Sequence, residues 1–389
     1  MLDLASSLKE IIVGRRLTLL GVGPMSITVT REAVALANKY RTPVALIPSR
    51  RQVDSSKFGG GYVEGWSTQE FSAYVRSIDR GGFALLSRDH SGPWQGSKLS
   101  SDLSFPEAMV EAKESLEDDI AAGFNLLHID PSAALSRGFS DADVAEMAVE
   151  LVAHCVSKMD NPRQCVFEVG TDEQDTSHDP LSVTEERIDF LFRELERFGL
   201  PRPLFYVAQA GTKVLETQNF GSFDQPFTVE GSLPATVFVP EILSLLGRKG
   251  LLLKEHNADY LSDNSLKWHR KFGIHGANVA PEFGVTETRA LLSFLRDFAL
   301  EVEHDEFSNI VLDAGNWAKW LRPGSPASDS EKVEIAGHYH FADPRVVEIR
   351  EILSKRAAVS GVDSESGISQ SVRASIDRYL KAFGYGARK

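Results

Sequence analysis

The chain has 389 residues, of which 42% are apolar and 25% charged, so its length admits either two domains or one large barrel with an appendage. Forty-two basic against 55 acidic side chains leave a net charge of −13, which excludes the basic surface that nucleic-acid binding rests on. Two cysteines, Cys155 and Cys165, exclude a disulfide framework, and no apolar run approaches the roughly 18 residues of a membrane helix.

The opening segment MLDLASSLKEIIVGRR alternates charge with apolar residues and lacks a signal peptide's apolar core, so a cytoplasmic chain is expected. Eight short apolar runs follow: LTLLGV from Leu17, PVALIP from Pro43, GFALLS from Gly82, NLLHID from Asn125, QCVFEVG from Gln164, PLFYVAQ from Pro203, GLLLKEH from Gly250 and FGIHGAN from Phe272. Near-continuous apolar runs of this length suit parallel strands covered on both faces. Helix-period segments lie between them, from TVTREAVALANKY to TETRALLSFLRDFAL. One of these, SVTEERIDFLFRELERFG, carries Ser182 and Glu185 in the S/T-x-x-E spacing that predicts a cap at Ser182. Eight strand-then-helix units favour an α/β fold of the (β/α)8 barrel type over an open doubly wound sheet. We assign residues 1–300 to the barrel and 301–389 to a helical extension packed on it, with a loop at Pro323–Ser330.

In such a barrel the loops at the C-terminal strand ends converge on one mouth. Those ends carry Arg88, Asp89 and His90 on strand three, His128 and Asp130 on strand four, and Glu168, Gly170 and Asp172 on strand five. Strand six ends at Gln209, strand seven at Glu255, His256 and Asn257, and strand eight at His275 and Asn278. Imidazoles and carboxylates from different strands suit one divalent cation, with Zn²⁺ foremost and Mn²⁺ or another ion as alternatives. His90 and His256 are the expected ligands, with Glu168 and Gln209 as further candidates, Gln209 serving equally as a donor to sugar hydroxyls. Adjacent in the chain, Asp89 and His90 fall on opposite pleat faces, so one would serve substrate and the other metal. His128 and Asp130 share a face and either both point inward or form a carboxylate–histidine contact behind the metal. Glu168 and Asp172 act on metal or substrate, or cap the next loop. Lys254 reads as an ion-pair partner before a Schiff-base lysine, and His275 as a packed residue.

The expected substrate contacts are Gln52, Lys57, Gly59, Gly60, Arg88, Asp130, Asn257 and Asn278. The glycines Gly59–Gly61 beside Lys57 offer a backbone nest for phosphate, with positive charge from Arg50, Arg51, Arg88 and Lys213. Trp66 and Trp94 are either sugar-stacking rings or loop anchors. His338-Tyr339-His340 has the form of a metal pair but lies in the extension, where it reads as structural. GVGPMSIT lacks GxxxxGK[ST] and GxGxxG, so no nucleotide fingerprint is present.

RDHSGPWQ resembles the DHxGPxxWQ stretch of the Z-type subunit of tagatose-1,6-bisphosphate aldolase, the GatZ/KbaZ family. LLHIDPS is similar to its IHLDAS, EVGTDEQ to its IGTE and KEHNADY to its EAHSTDY, colinear with further matches from about Gly21 to Leu292. The resemblance implies a (β/α)8 fold and ketose-phosphate metabolism. It also implies Asp89 as acid/base, His90 and His256 as ligands, and Glu168 at a catalytic strand-five position. The implied outcomes are metal-dependent aldol cleavage or C4 epimerisation of a phosphorylated ketose, or a non-catalytic role beside a Y-type class II aldolase subunit; a sugar-phosphate metallohydrolase is a weaker alternative. A homo-oligomer is a further expectation. The chain departs from catalytic class II aldolases in having Gln209 where they place a third histidine, and NADYLSD where they have a GGSG phosphate loop.

Overall fold

Each of the eight apolar runs forms a strand: β1 (Leu19–Val22), β2 (Val44–Leu46), β3 (Ala84–Ser91), β4 (Leu126–Ile129), β5 (Val166–Gly170) and β6 (Phe205–Val207), then, after a small hairpin of β7 (Val214–Leu215) and β8 (Gln218–Asn219), β9 (Leu252–Glu255) and β10 (Gly276–Val279). The computed structural model describes residues 3–96, 98–170, 180–209, 211–221, 223 and 234–386. The long strands close into a parallel barrel in the order β1-β10-β9-β6-β5-β4-β3-β2. Helices wrap the outside, so strands buried on both faces need no polar alternation, which is why the apolar runs were so continuous.

Local chemistry sets the helix starts. Ser67 and Glu70 form a reciprocal capping box on helix Thr68–Ile78, as do Ser140 and Asp143 on helix Asp141–Lys158. The cap expected at Ser182 does not form. That helix spans Leu181–Arg197 with Pro180 at its start, and Ser182 therefore lies inside the first turn, where its hydroxyl is past the capping position.

The two ends of the barrel are unlike. Leu8 and Ile12 of helix Leu4–Arg15 pack with Leu19, Ala45, Leu85, Leu126, Val166, Phe205 and Leu252, plugging the N-terminal end of the strands. The C-terminal ends are left to the loops. Beyond helix Pro281–Asp297, helices Glu301–Ala314, Asp329–Ala336 and Pro344–Val359 share a core of Phe307, Ile310, Val311, Val346, Ile349 and Leu353 with Leu291, Leu292 and Leu295. The last helix, Ser364–Ala382, joins the main core through Val372, Ile376, Tyr379 and Leu380. It is tied to β1 and β2: the Leu20 amide donates to the Tyr385 hydroxyl (3.2 Å), which donates to the Pro43 carbonyl (2.6 Å). No helix among the described residues is long and apolar enough to cross a membrane.

Candidate metal centre

The mouth is built first by an irregularity. β3 runs to Ser91, but its register against β4 shifts between Arg88 and Ser91, and His90 has φ of 48°. A bulge of this kind re-aims side chains. Asp89 and His90 therefore do not divide between opposite faces as strict pleating predicted; both turn into the barrel. His90 pays the backbone strain of a left-handed non-glycine residue, about 1–3 kcal/mol.

Three imidazoles meet there. Ring centroids of His90 and His256 lie 5.0 Å apart, His90 and His128 5.1 Å, and His128 and His256 5.1 Å, a near-equilateral triangle. Asp89 stands over it, one carboxylate oxygen 3.7 Å from His128 Nδ1 and 3.8 Å from His256 Nε2, the other 3.7 Å from His90 Nε2. One ligand atom from each of Asp89, His90, His128 and His256 falls within 4.8 Å of all the others. The outward nitrogens are held: His90 Nδ1 donates to Asp130 Oδ2 (2.7 Å) and His128 Nε2 to the Gly170 carbonyl (2.8 Å). Partners of this type fix the tautomer, and the inward His128 Nδ1 accepts from the His90 amide (3.3 Å). Asp130 is itself oriented by Gln95 Nε2 (3.2 Å) and the Ser132 amide (3.1 Å). Of the two readings of His128 and Asp130, both side chains point inward, and the carboxylate–histidine contact runs from Asp130 to His90. His128 was the ligand candidate that sequence reasoning left out of its metal set; its shared parity with Asp130 was the available signal.

The electrostatics follow from this packing. Burial alone would raise the Asp89 pKa, but His90, His256 and the hydrogen bond from His128 hold it well below the usual carboxylate range. Burial pushes His256 down to about 4, keeping it neutral. Glu168 is fully buried between Lys254 Nζ (2.6 Å) and His256 Nε2 (3.1 Å). Burial opposes its ionisation, yet the Lys254 ammonium wins and brings its pKa to about 2. Glu168 thus bonds the same His256 nitrogen that faces Asp89, and Lys254 has the ion-pair role. Asn278 Nδ2 donates to Asp89 Oδ1 (3.3 Å).

Other expected contacts lie elsewhere. Arg88 is fully buried and forks on Asp119 (2.7 and 2.5 Å), with its remaining donors on the Pro48 and Val53 carbonyls and the Thr68 hydroxyl; it faces the helix layer because the bulge begins after it. Arg50 pairs with Asp54 (3.0 Å) and Glu111 (2.6 Å). The amides of Gly59, Gly60 and Gly61 donate to the carbonyls of Ser56, Ser55 and Trp66, so the phosphate nest beside exposed Lys57 is closed by its own turn. A Cβ at Gly61 would fall 2.0 Å from the Gln52 carbonyl; glycine is needed there for chain crossing. The Gln52 side chain accepts from the Ser49 amide (2.8 Å), and Gln209 Oε1 accepts from the Gly211 and Thr212 amides (2.9 and 3.0 Å), tying its own loop. Trp94 and Trp66 are anchors, Trp94 bonded to the Leu103 carbonyl and Trp66 stacked on Tyr74. His275 accepts from the Leu253 amide. His338, buried in the turn Gly337–His340, has its pKa pushed to about 3 by burial. Asp172 lies outside the described residues; Asn257 follows His256 with φ of 60°.

Fold and cluster together define a parallel (β/α)8 barrel with a three-histidine, one-aspartate mouth. No family model matches the chain, and no curated protein matches it by sequence. Among solved structures, the chain is similar to a probable tagatose 6 phosphate kinase from Sinorhizobium meliloti 1021, with TM-score 0.75 and 18% identity over 94% of this chain and 100% of that one. It is also similar to the YdjI aldolase from Escherichia coli K12 (TM-score 0.54, 12% identity, 99% and 98% covered). A fructose-bisphosphate aldolase from Campylobacter jejuni gives TM-score 0.53 and 12% identity, with 98% and 96% covered. At such identities the likeness is one of fold.

Proposed function

We propose that His90, His128 and His256 hold one divalent cation, Zn²⁺ or Mn²⁺, and that the chain performs retro-aldol/aldol chemistry on a phosphorylated ketose. The observation that carries this reading is the imidazole triangle under Asp89. Three nitrogen donors of borderline softness, two of them held from behind, suit such an ion and leave a coordination position for substrate. When bound, the cation supplies a Lewis acid for the ketose carbonyl oxygen. The aldolase and kinase names of the similar structures support a sugar phosphate as substrate.

Asp89 does the proton work. Its depressed pKa keeps it a carboxylate, and Asn278 keeps one oxygen aimed. It takes the proton of the C4 hydroxyl as the C3–C4 bond breaks, with the bonding pair passing into the C2 carbonyl system. After the aldehyde fragment leaves, return of that proton to C3 of the enediolate completes cleavage. Rotation and re-addition, with Asp89 returning the proton, inverts C4 instead.

The test is metal analysis of the purified chain alongside His90→Ala, His128→Ala and His256→Ala, followed by incubation with tagatose and fructose mono- and bisphosphates. One equivalent of metal, lost in each variant, is expected. A triose product marks cleavage, and a C4 epimer without triose marks inversion. A metal-free native chain overturns the reading in favour of a stabilising partner for a separate aldolase subunit.

A further inference from the structure

The segment that follows His256 is backbone under strain. Asn257 and Tyr260 both have positive φ, 60° and 58°, a conformation that an asparagine tolerates and a tyrosine does not favour. Residues turned this way cannot pair their carbonyls along a strand, and such a loop persists only where its surroundings over-determine it. Here each carbonyl from His256 to Asp259 accepts from a side chain. Thr212 Oγ1 donates to His256 (2.9 Å), Asn219 Nδ2 to both Asn257 and Asp259 (2.9 Å each), and the Tyr379 hydroxyl shares its proton between Ala258 (3.2 Å) and the Glu282 carboxylate.

Asn219 is the centre of this arrangement. It is 4% exposed, and its Oδ1 accepts from the Lys213 and Gly221 amides (3.2 and 3.1 Å), so both ends of the amide are committed. Its hairpin is gripped in turn by the extension. The Glu216 amide donates to the Trp320 carbonyl (2.7 Å), and the Glu216 carboxylate accepts from Arg322 Nε (3.1 Å) and Ser325 Oγ (2.5 Å). Hydrogen bonds therefore hold the hairpin at both ends, Glu216 to the extension and Asn219 to the backbone beside a proposed ligand, with the paired strands Val214–Leu215 and Gln218–Asn219 joining the two.

We infer that Asn219 is a positioning residue for His256, and that the extension, through Glu216, sets how tightly the cation site binds. The cation part of this inference rests on the reading above; the loop part does not. Asn219→Asp keeps the acceptor toward Lys213 and Gly221 and removes the donors to Asn257 and Asp259. In this variant, Co²⁺ titration is expected to show at least ~10-fold weaker binding and altered d–d bands, with unchanged circular dichroism. Arg322→Ala, which frees the Glu216 end of the hairpin, should give a smaller change in the same direction, and it carries the test if Asn219→Asp does not fold. Hydrogen exchange of the cation-free chains should show faster exchange at the amides of residues 257–261 in Asn219→Asp. Native Co²⁺ affinity and spectrum with native exchange overturn the inference. A native chain that binds no Co²⁺ overturns only the cation reading, and the exchange rates then decide the loop claim.

Discussion

A carboxylate behind an imidazole does two jobs for a metal ligand: it fixes which nitrogen carries the proton, and it makes the other a stronger donor. In the proposed centre Asp130, bonded to His90 Nδ1, would do both for His90. Asp130→Asn is expected to weaken divalent-metal affinity by about 10–100-fold without unfolding the chain, measured by competition with a chromophoric chelator. A different residue-scale outcome is expected at Arg88. The sequence placed this arginine at the substrate; the structure buries its guanidinium against Asp119. Asp119→Ala leaves that charge unpaired in a dry setting and should cost about 3–5 kcal/mol, read by urea denaturation.

At the scale of elements, strand ends and helix starts carry most of the information. All eight barrel strands could be read from the chain, because a strand covered on both faces must be apolar almost throughout. Asp89, His90 and His256 were legible for a related reason: polar groups at the ends of such runs stand out. The bulge in β3 was not legible, since no glycine or proline falls within Arg88–Ser91 and Gly92-Pro93 read as the turn after the strand, and it is the bulge that brings two neighbouring residues into one mouth. Gly59–Gly61 misled in the opposite way, because the same residues serve a phosphate nest and a tight chain crossing. Gln209 occupies the place where the resemblance calls for a third histidine, and the third ring comes instead from β4, two strands away in the barrel order. The hairpin of β7 and β8 was also missed; its strands are too short for a period to show.

Helix Pro281–Asp297 gives a prediction at the same scale. Asp259 Oδ1 accepts from the Ala280 and Glu282 amides at its start (3.0 and 2.9 Å). Burial, reinforced by Glu282, raises the Asp259 pKa from 3.8 to about 8. A raised acid holds its proton more tightly folded than unfolded, so its contribution is full below the unfolded value near 4 and is lost as pH rises through about 8. The melting temperature should fall between pH 5 and pH 9. Asp259→Asn, neutral throughout, should flatten that slope; an unchanged slope would place the titration elsewhere.

Across the whole molecule, the first and last helices secure the barrel from outside its own alternation. Tyr385 joins β1 to β2 by accepting from Leu20 and donating to Pro43. Tyr385→Phe strands two buried backbone groups and should cost about 1–3 kcal/mol in thermal or chemical unfolding. Truncation before Ser364 should remove folded material altogether, seen as loss of a cooperative melt, because Val372, Ile376, Tyr379 and Leu380 belong to the main core.

That tie also bears on how the protein is made. The Thr18 amide bonds to the Phe383 carbonyl, and Leu20 to Tyr385, across almost the full length of the chain. A ribosome delivers residues at about 5–20 per second, N-terminal end first. The opening strand therefore emerges many seconds before its last partner. Throughout that interval the nascent barrel carries an unfinished apolar seam, which closes only when the last helix arrives.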